Sequence, residues 1–266
     1  MEIGVSTSCF YPLETEVALE NLGKAGIKHT EIFFNALSEL KQSFVDMLLD
    51  IQSEYGITVA SLHPTMSLAE SFMIFSNYER RYREAEDQFR RYSEIAASLG
   101  AKYIIMHGGK PNGILTDEEY CERYMRLKEI TRENGADILQ ENVVRFRAGE
   151  IDFLRSMKNI LGEEAEFCLD LKQSLRCGYS PYDLIDEFSD NIKHYHISDH
   201  SISSDCLLPL NGGFDFGGFF SVLKEKSFKG SCIIEVYKDC YSSYEEVYNS
   251  FNKLKNCYCN IFENRL

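Results

Sequence analysis

Short apolar runs alternate with longer amphipathic stretches along the whole chain. Eight runs rich in β-branched, aromatic and aliphatic residues predict strands at 3–8, 30–34, 58–63, 103–107, 137–141, 166–171, 192–198 and 231–236. Between them, apolar positions recurring every three or four residues predict helices near 14–25, 43–55, 77–99, 116–134, 149–161, 181–188, 216–226 and 244–258. Strand starts fall roughly 26 to 45 residues apart, the size of a repeated strand–helix unit. Gly26, Gly56, Gly100, Gly135 and Gly162 stand where five helices should close. Thr116 opens a TDEE run, a good N-cap with acidic residues in the first turn. No linker or low-complexity stretch interrupts the pattern, so residues 1–266 read as one α/β domain, a (β/α)8 TIM barrel. A doubly wound open sheet is second, because no Gly-rich nucleotide loop follows the first strand.

Composition narrows the partners. The chain has 266 residues, 44% of them hydrophobic, enough for a sizeable core. Its 42 acidic and 28 basic residues give a net charge of −14, which repels a nucleic-acid duplex, and no local basic groove offsets it. A small phosphorylated substrate needs only one or two donors and is compatible with that charge. On the predicted helix 77–99, acids interleave with arginines at i,i+3 and i,i+4, which reads as a solvated, salt-bridged face. The nine cysteines are irregularly spaced. Several, such as Cys168 and Cys232, sit inside apolar strands and read as buried free thiols in a reducing cytoplasm. Cys257 and Cys259 form a CxC with no partner pair, which argues against zinc there. The opening MEIGVSTS lacks a charged leader, and no apolar run approaches the ~20 residues of a membrane helix, so the expectation is a cytoplasmic protein without a membrane partner.

Candidate chemistry concentrates at the strand ends. The segment IKHYHISDH from Ile192 runs as a strand and stops at His196, Asp199 and His200, ahead of a long polar loop. Other strands end in His63, His107, Glu141, Asp170 and Glu235. Any one of these groups is ordinarily a rim residue or a helix cap. In a barrel, however, the carboxyl ends of all strands converge on one mouth. Three partly desolvated carboxylates there would repel one another unless a cation sits between them. Glu141, Asp170, His196 and Glu235 offer mostly oxygen and one imidazole, a set suited to one Mn, Mg, Co or Zn ion with open positions. The glycines and Lys110 of HGGK could face a phosphate, although a simple turn explains them at least as well.

Those four positions, with HISD, the PLNGGFDF loop and the final IIEVY strand, resemble the xylose-isomerase-like TIM barrels over essentially the whole chain. That superfamily includes sugar and sugar-phosphate isomerases and epimerases, an inosose dehydratase and abasic-site endonucleases. The resemblance implies that Glu141, Asp170, His196 and Glu235 hold the metal, and that Glu141 and Glu235 are the catalytic pair exchanging a proton at carbon beside a carbonyl. It further implies that His63 and His107 contact substrate hydroxyls, and that Asp199 orients His196 or touches substrate. Relatives often carry Asp-x-x-His on the sixth strand; here the run is Asp170-Leu171-Lys172-Gln173, so Gln173 takes the substrate-contacting position. Leu207 stands where the endonucleases need a histidine, which counts against a phosphodiesterase. The expected activity is therefore a metal-dependent isomerase or epimerase on a small carbohydrate. A metal-assisted lyase is the alternative, and a non-catalytic sugar-binding barrel the third reading. A homo-oligomer is compatible with each.

Overall fold

A computed structural model describes residues 1–64 and 69–262. Its eight strands are β1 (Glu2–Ser6), β2 (His29–Phe33), β3 (Thr58–His63), β4 (Tyr103–Met106), β5 (Asp137–Glu141), β6 (Phe167–Asp170), β7 (Ile192–Ile197) and β8 (Ser231–Ile234). Each pairs in parallel with its sequence neighbours, and β1 also pairs with β8. The sheet is therefore a closed barrel and not an open one. Closure leaves no edge strand, and the connecting helices cover the outside.

The alternation of side chains along each strand sorts residues between two cores. Ile104, Ile138, Leu169, Tyr195 and Ile234 join the large cluster under the helices. Their neighbours Ile105, Leu139 and Cys168 form a separate small cluster inside the barrel. One step further along β5 and β6, the same inward face carries Glu141 and Asp170. β8 continues the pattern, with Ile233 inward and Glu235 just beyond its end. The barrel thus builds an apolar floor with an ionisable rim above it.

Helix boundaries follow local chemistry. The five predicted closing glycines all have positive φ. Thr116 caps the helix Asp117–Arg132 in a reciprocal capping box with Glu119. The charged helix Glu79–Leu99 is laced by Glu79–Arg83, Asp87–Arg90 and Arg91–Glu94 pairs. All nine cysteines are free thiols, with Cys168 and Cys232 buried. No helix among the described residues is long and apolar enough to cross a membrane.

Among the described residues, two short α-helices were not anticipated, Glu70–Met73 and Leu171–Arg176. The second begins directly where β6 stops, so the predicted sixth strand ends one residue early. Its trigger is Asp170, whose Oδ1 accepts the Gln173 N–H at 3.0 Å and so caps the first turn. The turn carries Lys172 and Gln173 back over the mouth of the barrel.

Candidate active site

A cavity of about 550 Å³ opens at the carboxyl ends of the strands. That size suits a small-molecule ligand. His63, His107, Glu141, Lys172, Gln173 and Glu235 supply its polar wall, while Phe33, Phe34, Tyr11 and Tyr237 supply much of its apolar wall. Asp170 and His196 lie just beneath, completely buried.

One donor atom from each of Glu141, Asp170, His196 and Glu235 lies within 4.8 Å of the others. His196 Nδ1 is 2.9 Å from Glu141 Oε1, 3.5 Å from Glu235 Oε2 and 4.0 Å from Asp170 Oδ2. A divalent ion with bonds of about 2.0–2.2 Å requires donors about 3–4.5 Å apart, so the four residues fit such an ion. Asn142 fixes the end of the sixth strand: its Oδ1 accepts the Asp170 N–H at 2.7 Å, and its Nδ2 donates to the Asp170 carbonyl at 3.2 Å.

The other face of His196 shows a residue that the strand-end pattern missed. His196 Nε2 lies 3.0 Å from Oε2 of Glu31, a fully buried carboxylate on β2. Ser6 and Ser61 donate to Glu31 at 3.2 and 2.7 Å, and His194 Nε2 stands 3.5 Å away. A carboxylate behind a ligating imidazole sets its tautomer and raises its basicity. Burial works against a charge on Glu31, but His196 and His194 outweigh it and hold the carboxyl well below its usual pKa. Burial likewise opposes charge on His196; Cys168, Glu31, Glu235 and Glu141 together raise its pKa well above normal. The signal was present in the sequence: Glu31 is a carboxylate in the interior of a predicted strand, on a face that must point into the barrel.

His63 and His107 meet at 3.1 Å between their Nε2 atoms, and both approach Glu141 Oε2, at 3.6 and 2.9 Å. Neither contact gives that oxygen a well-aligned hydrogen bond, and both histidine Nδ1 atoms lack partners. Buried polar atoms without a partner are uncommon in folded proteins. Gln173 Oε1 accepts the Val144 N–H at 3.3 Å, and the side chain lines the cavity.

Two expectations require correction. Asp199 does not orient His196. Its two carboxylate oxygens accept the backbone N–H groups of His200, Gly212 and Phe214 at 2.7–2.9 Å, and Leu207 pairs with its backbone. It is the organiser of the loop after β7, and no part of the cavity wall. The carboxylate beside His196 is that of Glu31 instead. Lys110 and the HGGK glycines do not form a phosphate cradle. Lys110 Nζ rests over the Phe72 ring at 4.1 Å, and Gly108 N–H donates to buried Glu70 Oε2 at 2.6 Å. Gly108 is required by the turn itself: its φ is +91°, and a Cβ would sit 2.0 Å from the Tyr120 hydroxyl. The cavity's cationic side chains are Lys172 and Lys238 instead.

Lys172 contributes the least expected contact. Its buried ammonium donates to Asp170 Oδ2 and, at 2.6 Å, to Glu235 Oε2.

Residues 19–257 match the sequence family described as xylose isomerase-like TIM barrel. The chain belongs to that family. Among solved members of this fold, a D-tagatose 3-epimerase-like protein is similar at a TM-score of 0.79 with 18% identity, covering 99% of each chain. The 3-keto-D-glucoside 4-epimerase from E. coli is similar at 0.78 with 16% identity, over 97% of this chain and 100% of the other. The IOLI protein with a bound zinc atom is similar at 0.78 with 19% identity, over 98% and 99%. An uncharacterized protein of Mycobacterium leprae is 22% identical, over 89% of each sequence.

Proposed function

We propose that this protein is a divalent-metal-dependent isomerase or epimerase acting on a small sugar, sugar phosphate or related polyol. The observation that carries this reading is the convergence of four donor atoms from Glu141, Asp170, His196 and Glu235 at the floor of a sugar-sized cavity. The epimerase names among similar folds and the isomerase-like family support it, and so does the zinc of the IOLI protein. A bound divalent ion would supply positive charge for the carbonyl oxygen as it becomes anionic. This chain's own residues do the rest. Glu141 at the end of β5 and Glu235 just beyond β8 are the pair that would remove a proton from carbon and return one. Asp170 and His196 act as ligands, with Glu31 holding the imidazole. His63, His107 and Gln173 orient hydroxyls, and the aromatic wall excludes water.

The test is a screen of ketoses, ketose phosphates and inososes in deuterated water with Mn, Mg, Co or Zn. Deuterium should enter the carbon beside the carbonyl without loss of water or phosphate. Loss of water would make the protein a lyase, and no exchange with any substrate would make it a binding barrel.

Calorimetry should find about one divalent ion per chain, weakened ~10-fold or more in Asp170→Ala and His196→Ala. Glu31→Gln should weaken it ~10- to 100-fold although Glu31 is no ligand, because a neutral amide loses the charge that raises the basicity of His196. Ion affinity in the Glu31 variant equal to the parent's would remove that carboxylate from the site.

A further inference from the structure

Lys172 sits where its charge competes with the ion just proposed. We infer that Lys172 is a tethered counter-cation, which holds two of the three ligand carboxylates together and must be exchanged for a divalent ion when one binds. This inference rests on the metal-binding reading above and adds to it how the site is kept assembled and how the ion enters.

The geometry is specific. Asp170 uses Oδ1 to cap the helix Leu171–Arg176, and Oδ2 is the oxygen that faces His196 Nδ1. Oδ2 is the atom that Lys172 holds, and Glu235 Oε2 is its second acceptor. These same two oxygens face His196 Nδ1 at 4.0 and 3.5 Å. The ammonium and a divalent ion therefore draw on the same two oxygens. The reach of Lys172 is also set locally. It lies two residues after Asp170, in the first turn of a helix whose start Asp170 itself determines, and its side chain is 3% exposed.

Electrostatics give the arrangement its purpose. Glu31, Glu141, Asp170 and Glu235 bring four carboxyls into one buried space. Glu141 Oε1, Glu235 Oε2 and Asp170 Oδ2 all lie within 4.0 Å of the one nitrogen His196 Nδ1, so the space is crowded with carboxylate oxygens. A buried charge cluster without an internal cation is strongly unfavourable. A lysine supplies that cation permanently, and a divalent ion must then displace it and repay the lost ion pairs. Lys172 also lines the cavity, so its ammonium can leave the two oxygens without crossing the core.

Lys172→Met and Lys172→Gln test this in the full-length protein, stripped with chelator and titrated with Mn²⁺ and Zn²⁺ by calorimetry. Both variants should bind the ion at least ~10-fold more tightly than the parent. Without ion they should melt at lower temperature, and saturating ion should restore them. A variant that folds only when refolded with ion supports the inference equally. A readout without mutation uses ¹⁵N-lysine-labelled parent protein, in which the Lys172 ammonium resonance should shift on ion addition. Parent and variants binding the ion equally tightly would overturn the exchange and leave the metal reading intact. An unchanged Lys172 resonance at saturating ion would do the same. No ion uptake by any of the three proteins would overturn the metal reading, and the exchange with it.

Discussion

Glu141→Gln and Glu235→Gln should each slow solvent exchange of the substrate's carbon-bound proton by ~100- to 10,000-fold, with substrate binding retained. Glutamine keeps the size of the side chain and one carbonyl oxygen, so weak coordination survives, but an amide cannot take a proton from carbon near neutral pH. The two sites are not equivalent. Glu141 keeps Oε1 on His196 and presents Oε2 toward His63 and His107, in a space that is only 2% exposed. Glu235 is 14% exposed and shares Oε2 with Lys172. Which variant loses more therefore depends on the epimer offered, and swapping the starting epimer should swap the more damaged variant. The measurement is deuterium incorporation at saturating ion, beside calorimetric substrate binding. Undiminished exchange in both variants would rule out this pair and move proton transfer to His63, His107 or Lys172.

Glu70→Gln should change how stability depends on pH, by on the order of 4 kcal/mol across the neutral range. Burial pushes the Glu70 carboxyl up to about 8, against the partial opposition of the Gly108 and His107 backbone donors. Its folded pKa thus lies above the ordinary value of 4.5, so the folded state keeps a proton that the unfolded chain has lost. The stabilisation from that proton is fully present below about pH 4.5 and is lost progressively as pH rises to about 8. Glutamine cannot ionise and still offers an oxygen to the Gly108 N–H. Relative to the parent, the variant should gain stability steadily from pH 4.5 to pH 8.5 in urea melts. A difference that does not vary with pH would mean that Glu70 is already ionised in the fold. The consequence reaches the cavity, because Glu70 holds the turn that follows His107.

The barrel itself was legible in the chain because its causes are local. Side chains alternate with period two along a strand, glycines end helices where φ turns positive, and Thr116 with Glu119 marks a helix start. Strand ends differ from expectation by one or two residues, since pairing with neighbours decides where a strand stops. His63, His107, Glu141, Asp170, His196 and Glu235 were also readable, as the last inward positions before each loop. Convergence of those positions follows from closure of the barrel and needs no further information.

What only the tertiary structure decided is which charges share a space. Glu31 lies 165 residues from His196 in sequence, and nothing in HTEIF says that its carboxylate will lie behind that imidazole. Asp199 sits three residues after His196 and looked like its partner, yet backbone N–H groups of the following loop claim both its oxygens. Lys172 read as an ordinary residue beside Asp170 until the cap on Leu171–Arg176 turned it inward onto Glu235, 63 residues away. Periodicity determines which face a side chain takes, because that depends on φ, ψ and nearest neighbours. The partner of a buried charge depends on through-space distance in a poorly screening interior, and that distance exists only once the barrel has closed.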